Sequence, residues 1–435
     1  MRSAIVISTR GFAVFVHDLL VDPRSVRFVG IFSELDVCNL TESQRRHFDE
    51  IHVVPCGLRH PSPMLSSLVD ADAARAAISR VLERTPVEET SILCYDEQNM
   101  LVAAQLRTEF GTAGPKLDDI LPFRDKCLMK QRLMARNVRV PRFGTYDADL
   151  ASNARTAYFD ALRDEVGLPF ILKPTDSAGG EGVYRIRSSD EFAALPPDLG
   201  RAYEYEEFVA GTMYSVNILS KDRHTIFGGV TEYLVNSLQV QEGRVNADIN
   251  LIDSDRRVSR MVGFAESALD ALGWPDGASH LELFHTNDDE LVFLEVAARF
   301  KGMAGLAAMQ RHYGVAFVNR ALEIETGIES RPYDGERVYC FDGVIPKVAG
   351  VVDRLVAPDI ESACDITWKV APGDQIDQSN SLIANAGTFL VWNADYQTLY
   401  RDFQRLARYQ PIRYRPSTST RERVAVAAGK GHGHA

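Results

Sequence analysis

The chain of 435 residues reads as an α/β and α+β protein of several domains. Three observations predict this. Residues 1–115 alternate short apolar runs with helical spacing. After Pro141, strand segments are set between glycine-rich turns. From about Arg331, apolar runs are broken by Pro346, Pro358 and Pro372, the texture of a small β-rich lobe. A composition of 45% hydrophobic and 25% charged residues supplies several cores and excludes a wholly disordered chain.

In order along the chain, strands are expected at 4–8, 26–32, 51–55 and 91–95, with helices at 71–84 and 100–110. Buried strands alternating with helices imply a parallel sheet covered on both faces. Ligands of such sheets sit beyond the carboxyl ends of the strands. Asp96 and Glu97 lie at such an end, where they either face a cleft or cap the next helix. Residues 116–330 form a second, two-lobed domain around a hinge near 203–210, opening with a helix at 126–137 whose apolar face is Leu128, Met129, Leu133 and Met134. After Pro141 the strands are expected to shorten, with turns at 177–182, 228–229 and 302–305. Residues 331–415 give short strands at 338–341, 344–346, 369–370 and 388–392, then a helix at 396–409; residues 416–435 read as a disordered tail.

The net charge of −12 argues against a nucleic-acid-binding face but not against a locally basic pocket. No run reaches the length of a membrane span, and no signal peptide is expected at the N-terminus. Six scattered cysteines without a C-x-x-C pair suit a reducing cytoplasm and mostly buried thiols.

The most informative segment is 280–299, HLELFHTNDDELVFLEVAAR. Two apolar runs flank Asn287-Asp288-Asp289-Glu290, a turn composition. Folded about the turn centre, residues whose numbers sum to 577 oppose each other, so Glu282 faces Glu295 and Phe284 faces Phe293. Like charges directly opposite destabilise a sheet. A divalent cation, Mg²⁺ or Mn²⁺, relieves that repulsion and is held by carboxylates and phosphates. The alternative is a solvated face with two harmless glutamates. Arg299 follows, either as a fixed charge beside a reacting oxygen or as a salt-bridge partner.

In 170–183, FILKPTDSAGGEGV, a strand ends in Lys173-Pro174 and leads into Ser177, Gly179, Gly180 and Gly182. Glycines let backbone N–H groups approach phosphate oxygens, and Lys173 adds a point charge. A ligand-free turn is the alternative. Neither a Walker P-loop nor a dinucleotide fingerprint is present. Glu206, Glu207, Phe208 and Val209 sit where a carboxylate and backbone can read an adenine edge. Asp125-Lys126 opens a helix and places a cation near its start, either as part of an anion site or as surface charge.

In this order the four features resemble the ATP-grasp superfamily over about residues 1–330. The run Leu294-Glu295-Val296-Ala297-Ala298-Arg299-Phe300 resembles the bacterial L-amino acid ligases, dipeptide synthetases of the bacilysin-synthesis type, and the C-terminal region extends the likeness to about residue 415. Many ATP-grasp enzymes carry Asn where this chain has Ala297, and the ribose-contacting acid is replaced by Thr212-Met213.

The resemblance implies an ATP-dependent carboxylate–amine ligase with an acylphosphate intermediate, forming an amide between amino acids and releasing ADP and phosphate. Lys126, Lys173 and the glycine loop would hold the phosphates, Glu282 and Glu295 the Mg²⁺, and Arg299 the developing charge. By the same likeness Glu232 would take the α-ammonium of the first amino acid, while Gly302 and Met303 would line the acyl-donor pocket. The implied partners are small-molecule acids and amines, with no nucleic acid or membrane, and antibiotic-dipeptide synthesis is the natural setting. A homodimer follows only from base rates. Competing readings are a ligase acting on a carrier protein or non-amino-acid scaffold, and a nucleotide-binding module without turnover.

Overall fold

The computed structural model describes residues 1–415 except 39, 57–67, 178, 303, 379–381 and 383. The expectations for Met303 and for the tail 416–435 lie outside the described residues.

Strands β1 (Arg2–Ile7), β2 (Val26–Ser33), β3 (Glu50–Val54) and β4 (Thr90–Leu93) form a parallel sheet in the order β3-β2-β1-β4. Alternate residues serve opposite faces. Ile5, Ile7, Val29 and Ile31 pack with Ala77, Ile78 and Val81 of the helix Ala71–Leu82. Ala4, Val6, Phe28 and Phe32 turn the other way and join Phe12 and Phe15 in a core shared with Phe317 and Leu322 of the helix Phe317–Thr326. That shared core fixes the N-terminal domain against the rest of the molecule.

Strands β5 (Phe143–Thr145), β6 (Phe170–Pro174), β7 (Tyr184–Ile186) and β8 (Tyr203–Glu207) form an antiparallel sheet in the order β5-β8-β6-β7. Residues 208–210 then lead to β9 (Gly211–Lys221) and to the largest sheet. It has eight strands, β13-β12-β9-β10-β11-β14-β18-β16, with β10 (His224–Tyr233), β11 (Asn246–Asn250), β12 (Gly277–Thr286), β13 (Leu291–Ala297), β14 (Tyr339–Ile345), β16 (Ala363–Trp368) and β18 (Gly387–Asn393). A three-stranded sheet pairs β15 (Gly350–Leu355) with β17 (Gln375–Ile376) and β19 (Ile412–Tyr414).

Several expectations are corrected here. Strands do shorten directly after Pro141, where β5 to β8 have three to five residues, but they lengthen from β9 on: β9 has 11 residues, β10 and β12 have 10 each. Gly228-Gly229 is no turn but lies inside β10. A Cβ at Gly228 would lie 3.1 Å from Val262 of the helix Arg256–Leu272 on one face. A Cβ at Gly229 would lie 3.0 Å from Tyr313 of the helix Gly305–Tyr313 on the other. The glycines thus let two helices sandwich the strand. Segments 338–341 and 344–346 fuse into β14, and residues 369–370 lie just past β16 rather than in a strand. The final helix, Tyr396–Arg405, continues as a 3₁₀ turn at Leu406–Arg408. In the helix Lys126–Met134 the buried positions are Lys126, Met129, Lys130 and Leu133, whereas Met134 is exposed. All six cysteines are free, but only Cys94 and Cys340 are buried, and Cys38 is exposed at the end of a short surface helix. Among the described residues no helix is long and apolar enough to cross a membrane.

Candidate active site

A cleft opens between the β6–β8 wall and the β12–β13 hairpin, with Phe208 and Val209 also in its lining. Lys126, Lys173, Ser177, Gly179, Gly180, Glu206, Glu207, Phe208, Val209, Glu282 and Glu295 all line it. The expected nucleotide and metal residues, widely separated in sequence, therefore meet in one cavity, with Gly182 at the end of the same loop.

On the first wall, Lys173 Nζ lies 2.8 Å from Glu206 Oε1. Lys130, fully buried, reaches Glu204 and Glu206 at 2.6 Å each. Burial pushes the Glu206 carboxyl up, but Lys130 and Lys173 overcome it and hold it at about 2. Glu206 is thus an ionised anchor that aims two lysines. Burial alone would lower the Lys173 ammonium; Glu206 and Glu204 raise it, so it stays charged. Glu207 is taken by Arg139 and Arg142 at 2.5 Å each. The Phe208 ring carries the Arg185 guanidinium 4.3 Å from its centroid.

The glycine-rich loop has positive φ at Gly179, Gly180 and Gly182 (68°, 75° and 72°), which L side chains adopt only with strain. A Cβ on Gly182 would sit 2.8 Å from Tyr203 Oη. The loop is pinned over the cleft: Lys126 Nζ donates to Ser177 O at 2.5 Å, and Gln241 Nε2 donates to Gly180 O at 2.7 Å. Lys126 enters the cleft because Asp125 caps its helix, accepting from Leu128 N at 2.9 Å. Its Nζ lies 3.4 Å from Glu295 Oε2.

On the hairpin wall Glu282 pairs directly with Glu295, as the spacing predicts. The path to that register differs. Thr286 N donates to Glu290 O at 2.9 Å and Asp289 adopts φ 62°, so the turn is one residue tighter than a fold about the 287–290 centre. Phe284 then faces Val292, and a bulge between the Glu pair and Phe293 restores the register. The bulge turns Phe293 into the core and puts Leu294 on the cleft beside Phe284, which corrects the expected Phe284–Phe293 pair. Two facing carboxylates supply the hard oxygen donors a divalent cation takes, and Lys126 and Lys173 leave the phosphate side of such an ion cationic. Glu282 also accepts from Tyr233 Oη at 3.1 Å, and His280 Nε2 lies 3.5 Å from the same oxygen. His280 is held by Asn217 at 2.8 Å. Burial pushes the Glu282 carboxyl up, and hydrogen bonds with His280 and Tyr233 bring it below its usual value.

Arg299 and Ala297 line a second, small cavity that shares Lys126, Ser177 and Glu295 with the first. Gly302 has open space where a Cβ would stand. Glu97 resolves the two readings of the β4 end: it reaches Arg299 at 2.5 Å and also pairs with Arg124. Asp96 stays with Asn99, accepting from its Nδ2 at 2.6 Å, at the start of the next helix.

Glu232 does not join these residues. Neighbouring Tyr233 faces Glu282, so strand parity turns Glu232 to the opposite face. There it accepts from Arg257 at 2.6 Å and from Tyr400 Oη at 3.1 Å. The expected ammonium ligand is a tie between β10 and two covering helices. Lys130, Tyr233 and Arg124 escaped the sequence reading. Only Lys130 left a signal, a charge at the i+4 position from Lys126 on an otherwise apolar stripe.

Residues 123–303 match the ATP-grasp domain family. With the fold and the furnished cleft, this makes residues 123–303 an ATP-grasp domain in a chain similar to ATP-grasp ligases. The proteins it is similar to include L-amino acid ligases. It is 21% identical to the L-arginine-specific L-amino acid ligase of Bacillus subtilis over 341 residues, covering 73% of this chain and 78% of that protein. Its fold superposes on the L-amino acid ligase of Bacillus licheniformis with a TM-score of 0.68 at 15% identity, over 96% of this chain and 99% of that one. The biotin carboxylase domain of Hydrogenobacter thermophilus 2-oxoglutarate carboxylase, crystallised with MgADP, gives a TM-score of 0.60 at 16% identity, over 95% and 92%.

Proposed function

We propose that this enzyme joins two amino acids through an amide bond, using ATP and passing through an acylphosphate. One observation carries the reading: Glu282 and Glu295 oppose each other across adjacent strands, in a cleft that Lys126 and Lys173 also enter. The two glutamates would hold Mg²⁺, which supplies charge neutralisation on the phosphates when bound. Lys126 and Lys173 bind the triphosphate as fixed cations, oriented by Glu295 and Glu206. Residues 208–209 receive the base. The loop 177–182 covers the phosphates and keeps water from the activated acyl group. Arg299 faces the charge that develops on the acyl and phosphoryl oxygens. A substrate carboxylate attacks the γ-phosphorus and ADP leaves. An amine then attacks the acyl carbon, loses a proton, and phosphate leaves.

The test is ADP and phosphate release over a matrix of amino-acid pairs with Mg²⁺, with products identified by mass spectrometry. The reading expects amide product in equal amount to ADP for at least one pair. ADP release only with a carrier protein or a non-amino acid would replace it. Nucleotide binding without turnover under every pair would reject it.

A further inference from the structure

Glu97 is the one acidic side chain that the N-terminal parallel sheet sends to the reacting end of the cleft among the groups described above. It comes from the segment after β4, is 4% exposed, and sits between two guanidinium groups from other parts of the chain. Its Oε2 accepts from Arg299 Nε at 2.5 Å, and its Oε1 accepts from Arg124 Nη1. The remaining bonds of those arginines show what the carboxylate organises. Arg299 Nη1 donates to Phe300 O at 2.7 Å, so two contacts define the plane of its guanidinium. Arg124 Nη2 donates to Asp176 O at 2.9 Å, in the residue before Ser177 and the glycine-rich loop. All three side chains line the smaller cavity that shares Lys126, Ser177 and Glu295 with the nucleotide cleft.

We infer that Glu97 is a positioning residue that sets Arg299 for the acyl-transfer chemistry and, through Arg124, fixes the backbone at Asp176, where the glycine-rich loop begins. A buried carboxylate between two arginines neutralises one of the two charges and spares them their mutual repulsion. Without it, Arg299 keeps its bond to Phe300 O and the more distant charges of Glu295 and Glu282, and Arg124 loses the partner that aims its other nitrogen at Asp176. The parallel-sheet domain thereby completes the site rather than merely flanking it. The inference about Arg299 rests on the ligase reading; the inference about the loop does not.

The experiment uses the full chain and Glu97→Gln, which keeps the shape and removes the charge. Steady-state ADP release should lose kcat by about 30–100-fold while KM for ATP moves less than about 3-fold, the pattern of an interaction made at the transition state. In an Arg299→Lys background the same change should cost less than about 3-fold more, because residues acting as a unit are not additive. Additive losses, or an unchanged kcat, overturn the role on Arg299. Deuterium exchange over residues 175–183, with the β,γ-imido analogue of ATP and Mg²⁺ bound, reads the loop whether or not an amino-acid pair turns over. Glu97→Gln should exchange there about 10-fold faster, with β1–β4 unchanged. Equal exchange overturns the loop role. Global loss of protection reduces Glu97 to a folding residue and overturns both.

Discussion

The two faces of the eight-stranded sheet have opposite characters. On one, Tyr214, Val216, Ile218, Val230, Leu281 and Leu283 pack with Met261, Ala265 and Leu269 of the helix Arg256–Leu272. On the other, Glu282 meets Tyr233, His280 meets Asn217, and Asn217 Nδ2 continues to Thr231 at 3.4 Å. The same strands supply both, one residue apart. The first face stabilises the fold by removing apolar area from water. The second buries polar groups that hydrogen-bond one another and so hold fixed directions. Strand parity therefore decides whether a glutamate enters the cleft or ties helices together, and Glu232 against Glu282 is the clearest instance.

That contrast sets an order of expected effects. Glu295→Ala, on the polar face, should lower kcat/KM by on the order of 10²–10³-fold with little change in melting temperature. ADP release and calorimetry together check both halves, and a large loss of Tm with modest kinetic change would erase the distinction. Lys130→Met, on the facing wall, removes the nearer of two buried lysines that pair with Glu204 and Glu206. Breaking a buried ion pair by losing one side costs about 3–5 kcal/mol, so urea unfolding should show a loss of that size. The same wall sets an acid limit. Glu206 is held at about 2 against its usual 4.5, burial opposing and the two lysines prevailing. A depressed carboxyl stabilises the fold above its unfolded value and loses that contribution as pH falls through the folded one. Stability should thus decline between pH 4.5 and 2, with a shallower slope in Lys130→Met, as followed by urea titrations. The smallest effect belongs to the apolar face. Glu232→Gln should leave kcat/KM within about 3-fold and cost at most about 1 kcal/mol, because its Arg257 partner is partly solvated. A loss of activity comparable to that of Glu295→Ala would return Glu232 to the reaction.

Much of the site was legible because its parts are local. The Glu282–Glu295 pairing follows from turn composition and period-2 alternation, and the cap Asp125 from its place before a helix. Phe293 was misplaced because a one-residue bulge, invisible in composition, cancels a one-residue error in the turn. Glu232 was misplaced because likeness to a family carries no strand parity. The strands from β9 on were underestimated because Gly228 and Gly229, turn signals in sequence, here serve helix packing on both sides of β10.

Apolar periodicity and glycine placement were enough to specify an N-terminal parallel sheet, a glycine-rich loop after β6 and two carboxylates on one hairpin, since each depends on neighbours within a few residues. Which distant groups meet was settled only on folding. Lys130 finds Glu204 and Glu206 more than seventy residues away, and Glu97 finds Arg299 two hundred residues away. Those pairs form because a buried charge must find a partner, and only the packing of domains determines which one lies within reach.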